Sequence, residues 1–217
     1  MSSRTRQLDA VEIRVLGTLL EKEQTTPEAC PLSVNALLAG CNQKTNREPV
    51  MELAESQVTD ALERLRQEVL VWRSEGARTE RWQQSVVRRW GLDRAAKALM
   101  TLLLLRGPQT AGELRARASR MTSFESLDQL MNLMASLMER GLVRRLAPAP
   151  GSRAERYVQL LSPDLHPLET SVAPVSRSAS AVPAADVIAR LGQLEAQVEQ
   201  LRTQLRSLAE KCGHSLE

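Results

Sequence analysis

One order of elements is written twice in this chain: helix, helix, helix, then two strand-like runs around a turn. In the first copy Leu8, Val11, Val15, Leu16, Leu19 and Leu20 recur at helical spacing over residues 8–23, and Thr25-Thr26-Pro27 ends the pattern. Ser33 is placed to cap a second helix with Val34, Leu37 and Leu38 facing inward, and Gly40 and Asn42 stop it. A third helix is expected from Ser56 as N-cap, with Val58, Ala61, Leu62, Leu65 and Val69 on its apolar face. Residues 69–87 then read as strand, turn at Gly76, strand, with Trp72 and Trp82 placed to pair across the hairpin.

The second copy begins at Asp93, which can cap a helix carrying Ala96, Leu99, Met100, Leu103 and Leu104 inward until Gly107-Pro108 breaks it. Thr110 and Glu113 have capping-box spacing, and so do Thr122 and Glu125. Behind the second box, Leu127, Leu130, Met131, Met134, Leu137 and Met138 keep core spacing up to Gly141, and residues 142–161 form two strand-like runs about a Pro/Gly turn. Three helices followed by a hairpin is the order of a winged helix, whose third helix often enters a DNA groove. Two copies support the assignment better than either alone. The expected fold class is therefore α+β, mainly helical, with winged-helix domains over residues 1–91 and 92–161.

The tail differs. Residues 162–185 are rich in Ser, Pro and Ala and read as a flexible linker. Over residues 186–211, Val187, Leu191, Leu194, Val198, Leu201, Leu205 and Leu208 alternate spacings of four and three, the a and d positions of a coiled coil. Arg190 would face Glu195 of a parallel partner, so a homodimer through this segment is expected.

Charge is unevenly spread. Before Gly91 there are 13 basic and 13 acidic residues; from Gly91 to Ser162 there are 11 and 6; beyond, 5 and 7. The positive field thus lies in the second copy, where an anionic partner is easiest to place. The N-terminus lacks the apolar core of a secretory signal, and the run 99–105 is too short to cross a bilayer, so a cytoplasmic location and no membrane partner are expected. Cys30, Cys41 and Cys212 have no ligand spacing, and His166 and His214 fall outside both copies. No Gly-rich phosphate loop is present. An enzyme, a metal site and a cofactor are accordingly not expected.

Several segments are unusual enough to carry a resemblance. TTPEACPLSVNALLAGCNQKTNREPV in the first copy, LLLRGPQTAGELRARASRM in the second and PGSRAERYVQL near the end of its hairpin resemble the YceH-like family of uncharacterised bacterial proteins. The likeness runs from about Leu8 to Leu161, and a Ser/Pro/Ala linker with a terminal coil is familiar there too. It implies a pair of winged-helix domains. It brings no activity and no catalytic residue.

Nucleic-acid binding is the sharper functional expectation. Groove reading needs Arg, Lys, Asn or Gln at the exposed start of the third helix. The first copy instead offers Gln57, Asp60, Glu63, Arg64 and Gln67, and the second Glu125, Ser126, Asp128, Gln129, Asn132 and Glu139. Acids at a helix start simply suit its dipole. The cations lie elsewhere: Lys44 and Arg47 on the loop, Arg78 and Arg81 near the first wing, Arg115, Arg117 and Arg120 on the second helix of the second copy, and Arg144, Arg145, Arg153 and Arg156 on its hairpin. Such residues would chiefly meet phosphates. The polar loop Asn42, Gln43, Lys44, Thr45, Asn46, Arg47, Glu48, Pro49 is longer than closure requires, and either meets a partner or satisfies its own backbone. The expected function is DNA binding of regulatory or architectural type, with double-stranded DNA as partner. The alternative is a protein–protein interaction module that binds no nucleic acid.

Overall fold

The computed structural model describes residues 6–74, 80–148, 153–162 and 200. The chain divides into two units, 1–171 and 172–217, and every element named below belongs to the first. In the second unit only Gln200, which is helical, is described. The predicted linker beyond Ser162 and the heptad positions from Val187 to Leu208 lie outside the described residues, as do Gly76 and Arg78.

The first unit is mainly helical with two small antiparallel sheets. Helix α1 spans Ala10–Thr25 and is opened by a capping box: the Asp9 carboxylate accepts from Glu12 N, and the Glu12 carboxylate accepts from Asp9 N. A 3-10 turn over Pro27–Ala29 leads to strand β1 (Leu32–Ser33) and helix α2 (Val34–Cys41), which Ser33 caps by accepting from Ala36 N. After the long loop come α3 (Glu55–Gln67), β2 (Val71–Ser74) and β3 (Arg81–Gln84), with sheet order β1-β3-β2. A short helix α4 (Val86–Trp90) ends at Gly91 and joins the halves.

The second half follows the same order. Asp93 caps α5 (Arg94–Arg106); β4 (Gln109–Thr110) precedes α6 (Ala111–Ala118), whose Thr110–Glu113 capping box is formed. Helix α7 (Leu127–Glu139), β5 (Val143–Leu146) and β6 (Arg156–Gln159) complete it, with sheet order β4-β6-β5. In each half a two-residue strand just before the second helix pairs with the later hairpin strand. Two residues are too few to leave a periodic signal, so β1 and β4 are not legible in the sequence.

Local chemistry departs from the sequence reading at five places. Helix α3 starts at Glu55, not after Ser56, because the Gln57 side chain accepts from Ala54 N and serves the first free donor. Thr122 does not open α7: its N–H bonds back to Ala118 O and closes α6, while Ser126 caps α7 by accepting from Gln129 N. Leu127, expected in the core, is the first residue of that helix and is 43 % exposed. Trp72 and Trp82 do not pair, because the register sets Arg73 opposite Trp82; Trp82 is buried and Trp72 is 45 % exposed. Val69 leaves the apolar face of α3 altogether, turning to φ 57 with 63 % of its surface exposed, and Leu70 takes the core position instead.

The Val69 turn has a counterpart. Val69 N and Leu70 N bond to Arg66 O and Leu65 O, and in the second half Gly141 N and Leu142 N bond to Met138 O and Leu137 O. Gly141 has φ 69 and meets the left-handed requirement freely, whereas Val69 is β-branched and strained there.

The two halves share one core through α1 and α5. On α1 every residue from Glu12 to Leu20 is buried, and on α5 every residue from Ala98 to Leu105. A helix buried all round needs neighbours on both sides; α2 and α3 cover one side of α1, and α5 covers the other. Gly17 lies at the crossing, where an added Cβ would meet Leu105 Cδ2 at 2.8 Å and Leu104 Cβ at 3.1 Å.

Val69→Gly is expected to stabilise the protein by about 1 kcal/mol, since it removes a left-handed β-branched residue. Gly17→Leu is expected to cost about 3 kcal/mol by overpacking the crossing. Urea unfolding midpoints should therefore move in opposite directions for the two variants; a rise for Gly17→Leu would contradict the close approach.

Candidate functional site

The loop between α2 and α3 is held by a buried arginine. The Arg47 side chain is fully buried; Nε and Nη2 donate to Gly40 O at 3.1 and 2.9 Å, Nη1 to Asn46 O at 3.0 Å, and Nη2 to Gln43 Oε1 at 3.1 Å. Its guanidinium also forks onto both carboxylate oxygens of Glu21 on α1. Arg47 therefore organises the loop from inside and is not placed to meet a partner, which corrects its assignment as a contact residue. Asn42 does the same for the other end, its amide pairing with Leu53 N and O at 2.8 and 2.9 Å as a strand would.

Beneath the loop lies a second buried guanidinium that sequence reasoning missed. Arg14 donates to Cys41 O at 3.0 Å and to Pro49 O, while its buried Nε has no partner among the described residues. Burial, together with the nearby Arg47 charge, lowers its pKa. The sequence signal was available: a charge inside the apolar run IRVLGTLL marks either an exposed stripe or a buried anchor, and the all-round burial of α1 decides for the anchor. The Cys41 thiol is fully buried and pushed up by desolvation, so it is a small core residue rather than a nucleophile.

The loop also reaches the second half. Glu48 N donates to Leu105 O at 2.8 Å, and Arg106 Nη1 donates to Asn46 Oδ1 at 2.9 Å. Between the loop, α1, α5 and α6 a groove of about 750 Å³ remains, and Lys44 from the loop and Arg117 and Arg120 from and just after α6 line it, together with Lys22 of α1. Residues from both copies of the plan thus face one cavity, which sequence spacing could not reveal.

Other predicted contact residues have internal duties. Arg115 donates to Phe124 O and Glu125 O and secures the α6–α7 connection. Arg81 donates to Pro31 O, and Arg117 is shared between Gln109 Oε1 at 2.7 Å and Glu113 at 3.1 Å. Arg64, expected on an exposed groove-facing surface, is tied to Asp9 and to the buried Glu12. On the second hairpin Arg145 pairs with Glu155 at 3.2 Å in an exposed bridge; Arg144 and Arg153 are exposed with no ion pair among the described residues, and Arg156 is half-buried.

No group of three or more His, Cys, Asp or Glu able to hold a metal occurs among the described residues, and no described helix is long and apolar enough to cross a membrane.

These features define a helical α/β protein of two like halves joined by a polar, arginine-anchored loop. The chain belongs to the family described as protein of unknown function, DUF480, whose model matches residues 8–152 and so spans both halves. It is 43 % identical to a UPF0502 protein of Acidovorax sp. (strain JS42), covering 97 % of this chain and 96 % of that one. It is 44 % identical to UPF0502 protein mll4256 of Mesorhizobium japonicum, covering 93 % and 96 %. A UPF0502 protein of Citrifermentans bemidjiense is 48 % identical over 74 % of this chain and 77 % of its own.

Removing Arg47 would leave Gly40 O and the largely buried Glu21 carboxylate without their donor. Arg47→Ala is expected to cost about 3 kcal/mol, and Glu21→Ala less, since Glu21 retains some exposure. In a double-mutant cycle by urea unfolding the second substitution should add little to the first; full additivity would show that the pair does not act together.

Iodoacetamide should modify Cys41 in the native protein only as fast as the chain unfolds, as followed by peptide mass mapping. Rapid native-state labelling would contradict the closed packing.

Proposed function

We propose that the protein binds DNA through phosphate contacts made chiefly by its second half, in a regulatory or architectural role. The observation that carries this reading is the charge of the second hairpin. Arg144, Arg145, Arg153 and Arg156 stand there against the single carboxylate Glu155 among the described residues. In the first hairpin, by contrast, Arg73 is matched by Glu80 and Arg81 is turned to a backbone carbonyl. Each half is taken as a winged helix in this reading, with the hairpin as wing. The predicted C-terminal coil would pair two such chains and double the number of phosphate contacts.

The third helices favour a contact mode without groove reading. Helix α3 starts with Glu55 and exposes Asp60, while its two cations lie in its last turn and are paired, Arg64 with Asp9 and Glu12 and Arg66 with Glu63; α7 starts with an exposed Leu127 and Asp128. Binding through arginines on a hairpin gives affinity with little sequence preference and a steep salt dependence.

A second reading is favoured by a different observation. Val69 and Trp72 are exposed beside the acidic α3, and Val50 on the loop is 56 % exposed. Apolar residues next to an acidic helix suit a protein partner, which would make the first half an interaction module.

Fluorescence anisotropy of the full chain with a mixed-sequence duplex distinguishes the readings. Binding is expected at low salt and should weaken steeply as salt rises. In an Arg144→Ala/Arg145→Ala variant the slope of log affinity against log salt should fall by about 0.9 for each phosphate that is no longer neutralised. An Arg66→Ala/Arg73→Ala variant in the first half should bind as the parent does. Absence of binding at low salt would rule out the DNA reading and leave the interaction module.

A further inference from the structure

We propose that the groove between the motif loop and α6 is a binding site for a small organic phosphate of about nucleotide size. This site is separate from the hairpin surface and does not depend on the DNA reading.

The charged side chains of the groove's polar wall are mostly cations; its acceptors are Gln24 Oε1, which has no partner among the described residues, and the hydroxyls of Thr25, Thr101 and Ser119, which donate to backbone carbonyls. Glu21 is the only carboxylate among the described lining residues, and both of its oxygens accept from Arg47. The two loop amides are engaged on their acceptor ends: Gln43 Oε1 accepts from Arg47 Nη2, and Asn46 Oδ1 accepts from Arg106 Nη1. What each amide has left to offer is its NH2 group. Lys22, Lys44 and Arg120 line the same space with no ion pair among the described residues, and Arg117 adds a guanidinium only partly matched by Glu113. A wall of ammonium, guanidinium and amide N–H groups, with its carboxylate already taken, suits a multiply charged acceptor such as phosphate.

Charge behind the wall has the same sign. The loop rests on two buried guanidiniums: Arg47 is paired with Glu21, whereas Arg14 bonds only to the carbonyls of Cys41 and Pro49. Arg106, which props Asn46, has its pKa lowered by burial and by the neighbouring Arg117 charge. An anion in the groove would relieve this crowding of cations.

Part of the lining is apolar. Leu102 and Leu105 of α5 and Met121 after α6 face the cavity. A volume near 750 Å³ far exceeds one phosphate group and falls in the range of small-molecule sites. The ligand therefore carries an apolar body along α5 and its charged group toward Lys44 and Arg120. The clamping of the loop by Arg47 and Asn42 fixes Gln43, Lys44 and Thr45 before any ligand arrives, which lowers the ordering cost of binding.

The test is an amide chemical-shift titration of the full-length protein with inorganic pyrophosphate, adenosine diphosphate and adenosine as probes. Pyrophosphate is expected to perturb residues 43–46 and 117–121 with a Kd of about 1 mM or tighter. Adenosine diphosphate should bind the same residues at least about tenfold more tightly because it also uses the apolar part of the lining, and adenosine should not bind. A Lys44→Ala/Arg120→Gln variant, altered only at exposed side chains, should retain its spectrum and weaken adenosine diphosphate at least about tenfold. The Arg144→Ala/Arg145→Ala variant should bind adenosine diphosphate like the parent, whatever it does with DNA. The proposal is overturned if neither phosphate perturbs the groove residues, if adenosine binds as well as its diphosphate, or if the hairpin variant rather than the groove variant loses the ligand.

Discussion

Helices α1 and α5 meet at Gly17, and the rest of the first unit depends on that contact. Because each helix is covered on both sides, the apolar run Leu102–Leu105 and the apolar run around Val15 bury without a solvent face. Gly17 lets α1 pack directly on the Leu104 and Leu105 side chains, where an added Cβ would force Leu105 to shift. Polar bonds then lock the orientation from the ends: Gln24 to Thr101 at 3.0 Å, Lys97 to Glu23 at 3.0 Å, and Leu8 N to Leu161 O at 2.8 Å. Two small repeats with separate cores would each have been marginal in size. Sharing a core makes them one compact unit.

Burying charge beside such a core costs free energy unless each group is bonded. Arg47 meets that condition through Gly40, Gln43, Asn46 and the Glu21 carboxylate, and in doing so it converts a long polar loop into a fixed wall. Arg14 meets it less completely and depends on carbonyls from both ends of the same loop. The loop is therefore coupled to α1 from below and to α5 through Glu48 N and Asn46. A residue that is functional by sequence pattern can be structural by position, and Arg47 is the example here. The exposed neighbours it positions, Lys44 and Thr45, are the ones free to meet a ligand.

The two halves share a plan and differ in charge. In the first, the arginines of the third helix and hairpin are engaged within the fold: Arg64 by Asp9 and Glu12, Arg73 by Glu80, Arg81 by Pro31 O. In the second, the hairpin keeps an excess of arginines while its third helix presents no cation at its start. An arginine-rich hairpin, an acidic helix beside the exposed Trp72 and a cation-lined groove occur on one unit.

The sequence by itself determined the order of helices and hairpins, the caps at Ser33, Asp93 and Thr110, the α+β class and the uneven charge, because these follow from periodicity and from chemistry within a few residues. It could place Arg47 on a loop but not assign it inward, since burial is set by what packs from elsewhere in the chain. It read Val69 and Leu127 as core because spacing continues past a helix end that only the turn geometry reveals. The third strand of each sheet, the Arg14–Arg47 pair under one loop and the groove joining Lys44 to Arg120 were decided by tertiary structure alone. Each brings together residues far apart in the chain, and sequence spacing is silent about distance across a fold.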